Sequence, residues 1–111
     1  MVEGADRVTI YISGKITGDP EYYRKFARAE RHVRGMFPNS AILSPTRHPE
    51  GLTCEQYMLR AYQDIADADI VLFLPDWENS EGAKLEYAHC RYTGKKYGFF
   101  KETQRLSVFM A

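Results

Sequence analysis

The segment Ser80-Glu81-Gly82-Ala83-Lys84-Leu85-Glu86 sets a hydroxyl, a glycine and a carboxylate at a spacing that suits chemistry on an anionic substrate. If Ser80 opens a helix, the free N–H groups and the helix dipole there attract an anion such as a phosphate, and Ser80 and Gly82 fit that task. Glu86 lies little more than a turn further on, its side chain tilted back toward the helix start, where it can project toward the same ligand. The plain structural alternatives are that Ser80 only caps the helix, Gly82 packs closely on the sheet and Glu86 is a solvated helix residue. Asp64 opposes the dipole near the end of an earlier helix, as a residue with another task does, or it joins Asp67 and Asp69 in a polar connection. Tyr11 can donate its hydroxyl to a nearby carboxylate or sit satisfied in the core, and Trp77 can stack on a base or pack on the protein. Lys15 and Thr17, in the glycine-flanked run Gly14-Lys15-Ile16-Thr17-Gly18, suggest anion contacts, although the spacing is not that of a Walker motif. Glu86 and His89 make an E-x-x-H step with no second copy, and His32, His48 and His89 show no ligand spacing, so no metal and no cofactor are expected.

These residues must be positioned by elements that the periodicity makes readable. Arg7 to Ser13 is a β-branched and aromatic run that stops at Gly14, as a strand feeding a loop does. From Pro20 to about Gly35, apolar residues recur at intervals of three and four and predict a helix. Ala41 to Ser44 reads as a short strand halted by Pro45. Thr53 with Gln56 is a capping-box pattern opening a second helix that ends near Asp67. The unbroken apolar run within Asp69 to Leu74 suits a strand covered on both faces, at the centre of a parallel sheet. Ser80 caps a third helix through about Tyr92, which Thr93-Gly94 ends, and Tyr97 to Phe100 and Leu106 to Met110 read as strands four and five.

Strands alternating with helices predict a single α/β domain over residues 1–111: a flavodoxin-like or Rossmann-like three-layer sandwich with a parallel sheet of about five strands in the order 2-1-3-4-5. Ligands of such sheets bind beyond the carboxyl ends of the strands where the order reverses, here between strands one and three. The loops at that point are Gly14 to Asp19 and Pro75 to Ser80, which are also the richest in glycine, hydroxyl and charge.

Fifteen basic residues balance fifteen acidic ones in this 111-residue chain, which excludes a sequence-wide pull toward nucleic acid polymers or anionic membranes. No apolar run approaches the roughly 20 residues of a membrane span, and Met1 to Arg7 has no leader pattern, so a cytoplasmic protein is expected. Cys54 and Cys90 share no motif and read as reduced thiols.

The same residues resemble the superfamily of nucleoside 2-deoxyribosyltransferases and deoxynucleoside 5′-monophosphate N-glycosidases, above all its small uncharacterised phage and bacterial members. The resemblance covers about residues 8 to 100. It rests on Ile10-Tyr11-Ile12-Ser13-Gly14 with Lys15-Ile16-Thr17-Gly18, Tyr57-Met58 through Asp64, Ala68-Asp69, and Trp77-x-x-Ser80-x-Gly82-Ala83-x-x-Glu86. It implies Glu86 as the nucleophile on the anomeric carbon, Asp64 as the acid that assists base departure or holds the sugar, and Tyr11 as the residue orienting the glutamate. Ser13, Gly14, Lys15, Thr17, Gly18, Trp77, Ser80 and Gly82 are then the substrate-binding residues. Transferases acting on free nucleosides tend to carry Asp six residues before the glutamate, and monophosphate hydrolases carry Ser; here it is Ser80, and a carboxylate at this position would repel a 5′-phosphate that a hydroxyl can bind. The hydrolases' first loop resembles Gly-Ser-Ile-Arg-Gly, so Lys15 keeps the positive charge but displaces it by two positions. The resemblance also implies a homodimer or larger homo-oligomer with composite sites, to which the aromatic tail from Tyr97 to Met110 could contribute.

The expected activity is therefore hydrolysis of the base–sugar bond of a 2′-deoxynucleoside 5′-monophosphate. Deoxyribosyl transfer between bases, a nucleotide-binding sensor or sequestering protein without turnover, and a purely structural or interaction domain are the alternatives.

Overall fold

The computed structural model describes residues 7–102 and 106–111. The opening residues 1–6, part of the segment read for a leader, and residues 103–105 of the aromatic tail lie outside the described residues. The chain runs β1 (Thr9–Ser13), α1 (Tyr22–Met36), β2 (Ala41–Leu43), α2 (Cys54–Asp67), β3 (Ile70–Phe73), α3 (Glu81–Thr93), β4 (Tyr97–Glu102) and β5 (Leu106–Met110). Short 3₁₀ turns at Pro45–Arg47 and Trp77–Asn79 precede α2 and α3.

Local chemistry sets the helix ends. The Thr53 side chain accepts from the Gln56 N–H while Gln56 reaches back to the Thr53 N–H, satisfying two donors that α2 would otherwise leave bare. Ser80 caps α3 by accepting from the Ala83 N–H at 3.1 Å, and Gly94 ends that helix in the left-handed region at φ 78°.

The five strands form one sheet in the order β2-β1-β3-β4-β5. Strands β2, β1, β3 and β4 are parallel, so the expected order holds, whereas the expectation of a parallel fifth strand does not: β5 pairs with β4 antiparallel. The reason is chain length. Only residues 103–105 separate Glu102 from Leu106, and a parallel return needs a crossover of about a dozen residues or more.

Alternation along β1 divides the core. Ile10 and Ile12 pack with Phe26, Ala29 and Val33 of α1 on one face of the sheet. Tyr11 points to the other face, with Ala61 and Ile65 of α2 and Cys90 of α3. Val71, Leu72 and Phe73 of β3 are buried, as a strand covered on both sides must be. The order reverses between β1 and β3, which are joined past their ends by the Leu74 N–H donating to the Ser13 carbonyl at 2.7 Å. The loops beyond these two strands flank the crevice that the topology requires.

Gly98 faces Met110 across the hairpin, and a Cβ there would come within 2.8 Å of the Phe109 carbonyl oxygen and 2.6 Å of the Met110 sulfur. Gly98→Ala therefore forces the β4–β5 backbones apart, with an expected loss of about 1–3 kcal/mol by overpacking, read as a lower midpoint in urea unfolding.

Candidate functional site

Glu86 is the centre of the site. It lies on the second turn of α3, on the face turned to the sheet, and is 7% exposed. Ser13, the last residue of β1 and fully buried, donates its hydroxyl to Glu86 Oε1 at 2.7 Å. A parallel strand ends there because Gly14 must follow: a Cβ on Gly14 would lie 2.5 Å from Leu74 Cδ1, so the close passage of the two strand ends excludes a side chain. The packing of β1 against the end of β3 thus dictates Gly14 independently of any ligand.

Tyr11 stands two residues before Ser13 and shares its face of the sheet. Its hydroxyl is buried and near enough to the Glu86 carboxylate to favour the charge there, without meeting the geometry of a direct hydrogen bond. Burial, followed by the neighbouring Glu86 charge, pushes the Tyr11 phenol well above its ordinary range, so it stays a neutral O–H donor. For Glu86, burial is the dominant influence and lifts the carboxyl from 4.5 to about 7; the Ser13 and Tyr11 hydroxyls oppose the rise, and the charge of Asp64 adds to it. Burial also pushes the Cys90 thiol, one turn further along α3, up to about 11.

Asp64, late on α2, accepts from His48 Nε2 at 2.8 Å. His48 follows the turn after β2, its side chain is 9% exposed, and its buried Nδ1 has no hydrogen-bond partner among the described residues. The fold therefore brings Tyr11, Ser13, Asp64 and Glu86 together and adds His48, which the sequence reading passed over as one of three scattered histidines. Its one signal was position, in the loop beyond the carboxyl end of β2, on the same rim as the loops after β1 and β3.

The other expected residues divide. Gly82 has room: a Cβ there would approach nothing closer than 3.9 Å, to Met58 Sδ and Ser80 Oγ, so the alternative that close packing on the sheet demands a glycine there does not hold. Ser80 uses its oxygen to cap α3, which leaves the hydroxyl proton to donate outward. The Lys15 N–H donates to Asp76 Oδ1 at 3.2 Å, Thr17 is exposed at the loop tip, and Gly18 turns the chain at φ 82°. Trp77 packs on Phe73, Tyr87 and Phe99, with ring centroids 4.6–5.7 Å apart, and forms part of an aromatic cluster beside β4. Two open grooves flank Pro75, one lined by Asp19, Arg24, Lys25 and Asp76 and the other by Trp77, Phe99 and Lys101. Neither is lined by Glu86. Among the described residues no cluster of His, Cys, Asp and Glu is arranged to hold a metal ion, and no helix is long and apolar enough to cross a membrane.

The buried carboxyl makes a stability prediction with a definite sign. A group whose folded pKa is raised from 4.5 to about 7 stabilises the fold below pH 4.5, and that contribution is lost as the pH rises through about 7. The burden of keeping Glu86 ionised above pH 7 is about 3 kcal/mol. Glu86→Gln should therefore gain stability relative to the parent between pH 4.5 and pH 8, by a few kcal/mol in paired urea titrations; a constant difference would refute the burial of an ionisable carboxyl.

No curated protein matches the chain. A family match spans residues 8–99, from the start of β1 through the middle of β4. Because that match takes in every element of the site, the chain belongs to the family described as Domain of unknown function (DUF4406).

Proposed function

We propose that this protein is an N-glycosidase that hydrolyses the base–sugar bond of a 2′-deoxynucleoside 5′-monophosphate. The observation that carries the reading is the Glu86 carboxyl, buried at the carboxyl end of β1, aimed by Ser13 and flanked by Tyr11 and the Asp64–His48 pair. A carboxylate stripped of water and fixed in one orientation is a competent nucleophile toward an electrophilic carbon. The Glu86 oxygen attacks the anomeric carbon, and the C–N bond breaks as the base departs with a proton from the Asp64–His48 pair. Water then attacks the same carbon, the ester bond to Glu86 breaks, and the water's proton returns to the pair.

Substrate class follows from the start of α3. Its unpaired N–H groups, the Ser80 hydroxyl and the open space at Gly82 suit a phosphate, and Lys15 on the facing loop adds a positive charge. Gly82 supports this from energetics. Glycine in the middle of a helix costs about 0.5–1 kcal/mol relative to alanine, and less in the first turn, yet nothing in the packing of the described residues requires it here.

The direct experiment incubates the protein with ribo- and deoxynucleoside 5′-monophosphates and separates free base by chromatography, with an acceptor base added in parallel to detect transfer. The parent should release base from a deoxynucleoside monophosphate, with kcat/KM rising as the pH increases through about 7, because only ionised Glu86 attacks. Glu86→Gln should lose at least about 10³-fold in kcat; equal turnover would remove the mechanism. Gly82→Ala should fold with equal or greater stability and raise KM for monophosphates at least about 10-fold, a loss of roughly 1.4 kcal/mol of binding. An unchanged KM would remove the phosphate from α3.

A further inference from the structure

Lys25 occupies the first turns of α1, where a cation opposes the helix dipole and where α1 carries no acidic residue. Its side chain is 23% exposed, and its ammonium meets two carboxylates, Asp19 and Asp76, whose side chains are 24% and 29% exposed. These acids come from different loops. Asp19 closes the turn after β1 and also accepts the Glu21 N–H at 2.9 Å through its other oxygen. Asp76 lies after β3 and, through its other oxygen, accepts the Lys15 N–H at 3.2 Å. The segment from Lys15 to Asp19 is thus held at both ends by carboxylates that share one ammonium.

We propose that Lys25 is a positioning residue that clamps the loop after β1 to the loop after β3, making the two rims of the crevice one unit and offsetting part of the acidic charge where a dianionic substrate must enter. The second half of this inference rests on the glycosidase reading; the clamp itself does not. Without Lys25 the two carboxylates at the mouth would lose the ammonium they share, leaving more negative charge on that rim, and the Lys15 N–H would lose a fixed acceptor. The Asp19 carboxyl already lies below its ordinary range, chiefly through its hydrogen bond from Lys25.

The two halves separate experimentally. Amide hydrogen exchange of residues 14–19 should accelerate at least 10-fold in Lys25→Met and stay near the parent value in Lys25→Arg, with the amides of β1 and β3 unchanged in both. Parent-like exchange in folded Lys25→Met would overturn the clamp. If Lys25→Met does not fold, Asp19→Asn and Asp76→Asn carry the same test: each removes one anchor and should accelerate the loop, and parent-like exchange in both would overturn it. For charge, calorimetry of 2′-deoxyadenosine and its 5′-monophosphate is run on Glu86→Gln with and without Lys25→Met. The clamp variant should weaken the monophosphate at least 10-fold and the nucleoside less than 2-fold; equal weakening of both would overturn the electrostatic role. If Glu86→Gln binds none of the four common 2′-deoxynucleoside 5′-monophosphates while loop exchange responds to Lys25→Met, the glycosidase reading fails and the clamp stands.

Discussion

The burial of one carboxyl group is the constraint on which the site depends. Glu86 faces the sheet from α3, where water is scarce, and an ionised group there is tolerated only to the extent that donors surround it. Ser13 supplies the direct hydrogen bond, Tyr11 a nearby hydroxyl that remains protonated, and Asp64 a charge that works against ionisation. The balance puts the carboxyl near neutrality, where both of its protonation states are accessible. A structural glutamate would be more stable exposed or paired with a cation, and among the described residues no Lys or Arg makes a salt bridge to Glu86.

The fold makes this burial possible by bringing strand ends close together. Because β1 and β3 are parallel neighbours, Ser13 and Phe73 are register partners, and the backbones emerge side by side with Gly14 against Leu74. Little room is left for side chains at that point, and the two loops diverge from it to either side of a crevice. Lys25 reconnects them further out through Asp19 and Asp76. The same side of the sheet that receives Glu86 also receives Asp64 and, through it, His48, so three helix or loop segments converge on the end of one short strand.

Much of this was legible in the residues because it depends on local pattern. The Thr53–Gln56 capping box, the Ser80 cap, the Gly94 stop and the apolar run of β3 each act within a few residues, and each appears where its spacing places it. The strand order follows from alternating strands and helices, which permit few arrangements. The family resemblance, and not local spacing, grouped Glu86, Asp64 and Tyr11, which the fold brings near one another. The orientation of β5 was also within reach, since too few residues follow β4 for a parallel return.

What pairwise spacing could not supply was the identity of neighbours distant in the chain. His48 meets Asp64 across 16 residues, Lys25 meets Asp76 across 51, and Ser13 meets Glu86 across 73. Trp77 had two readings in the sequence, and only the tertiary structure shows the rings it meets, Phe73, Tyr87 and Phe99. The sequence by itself determined the elements, their order and the acidic residues available for chemistry, because helix caps, turns and apolar periodicity are short-range properties. Tertiary structure alone decided which hydroxyl holds Glu86, which histidine joins Asp64 and how far the carboxyl is removed from water, because desolvation and hydrogen bonding depend on through-space distance.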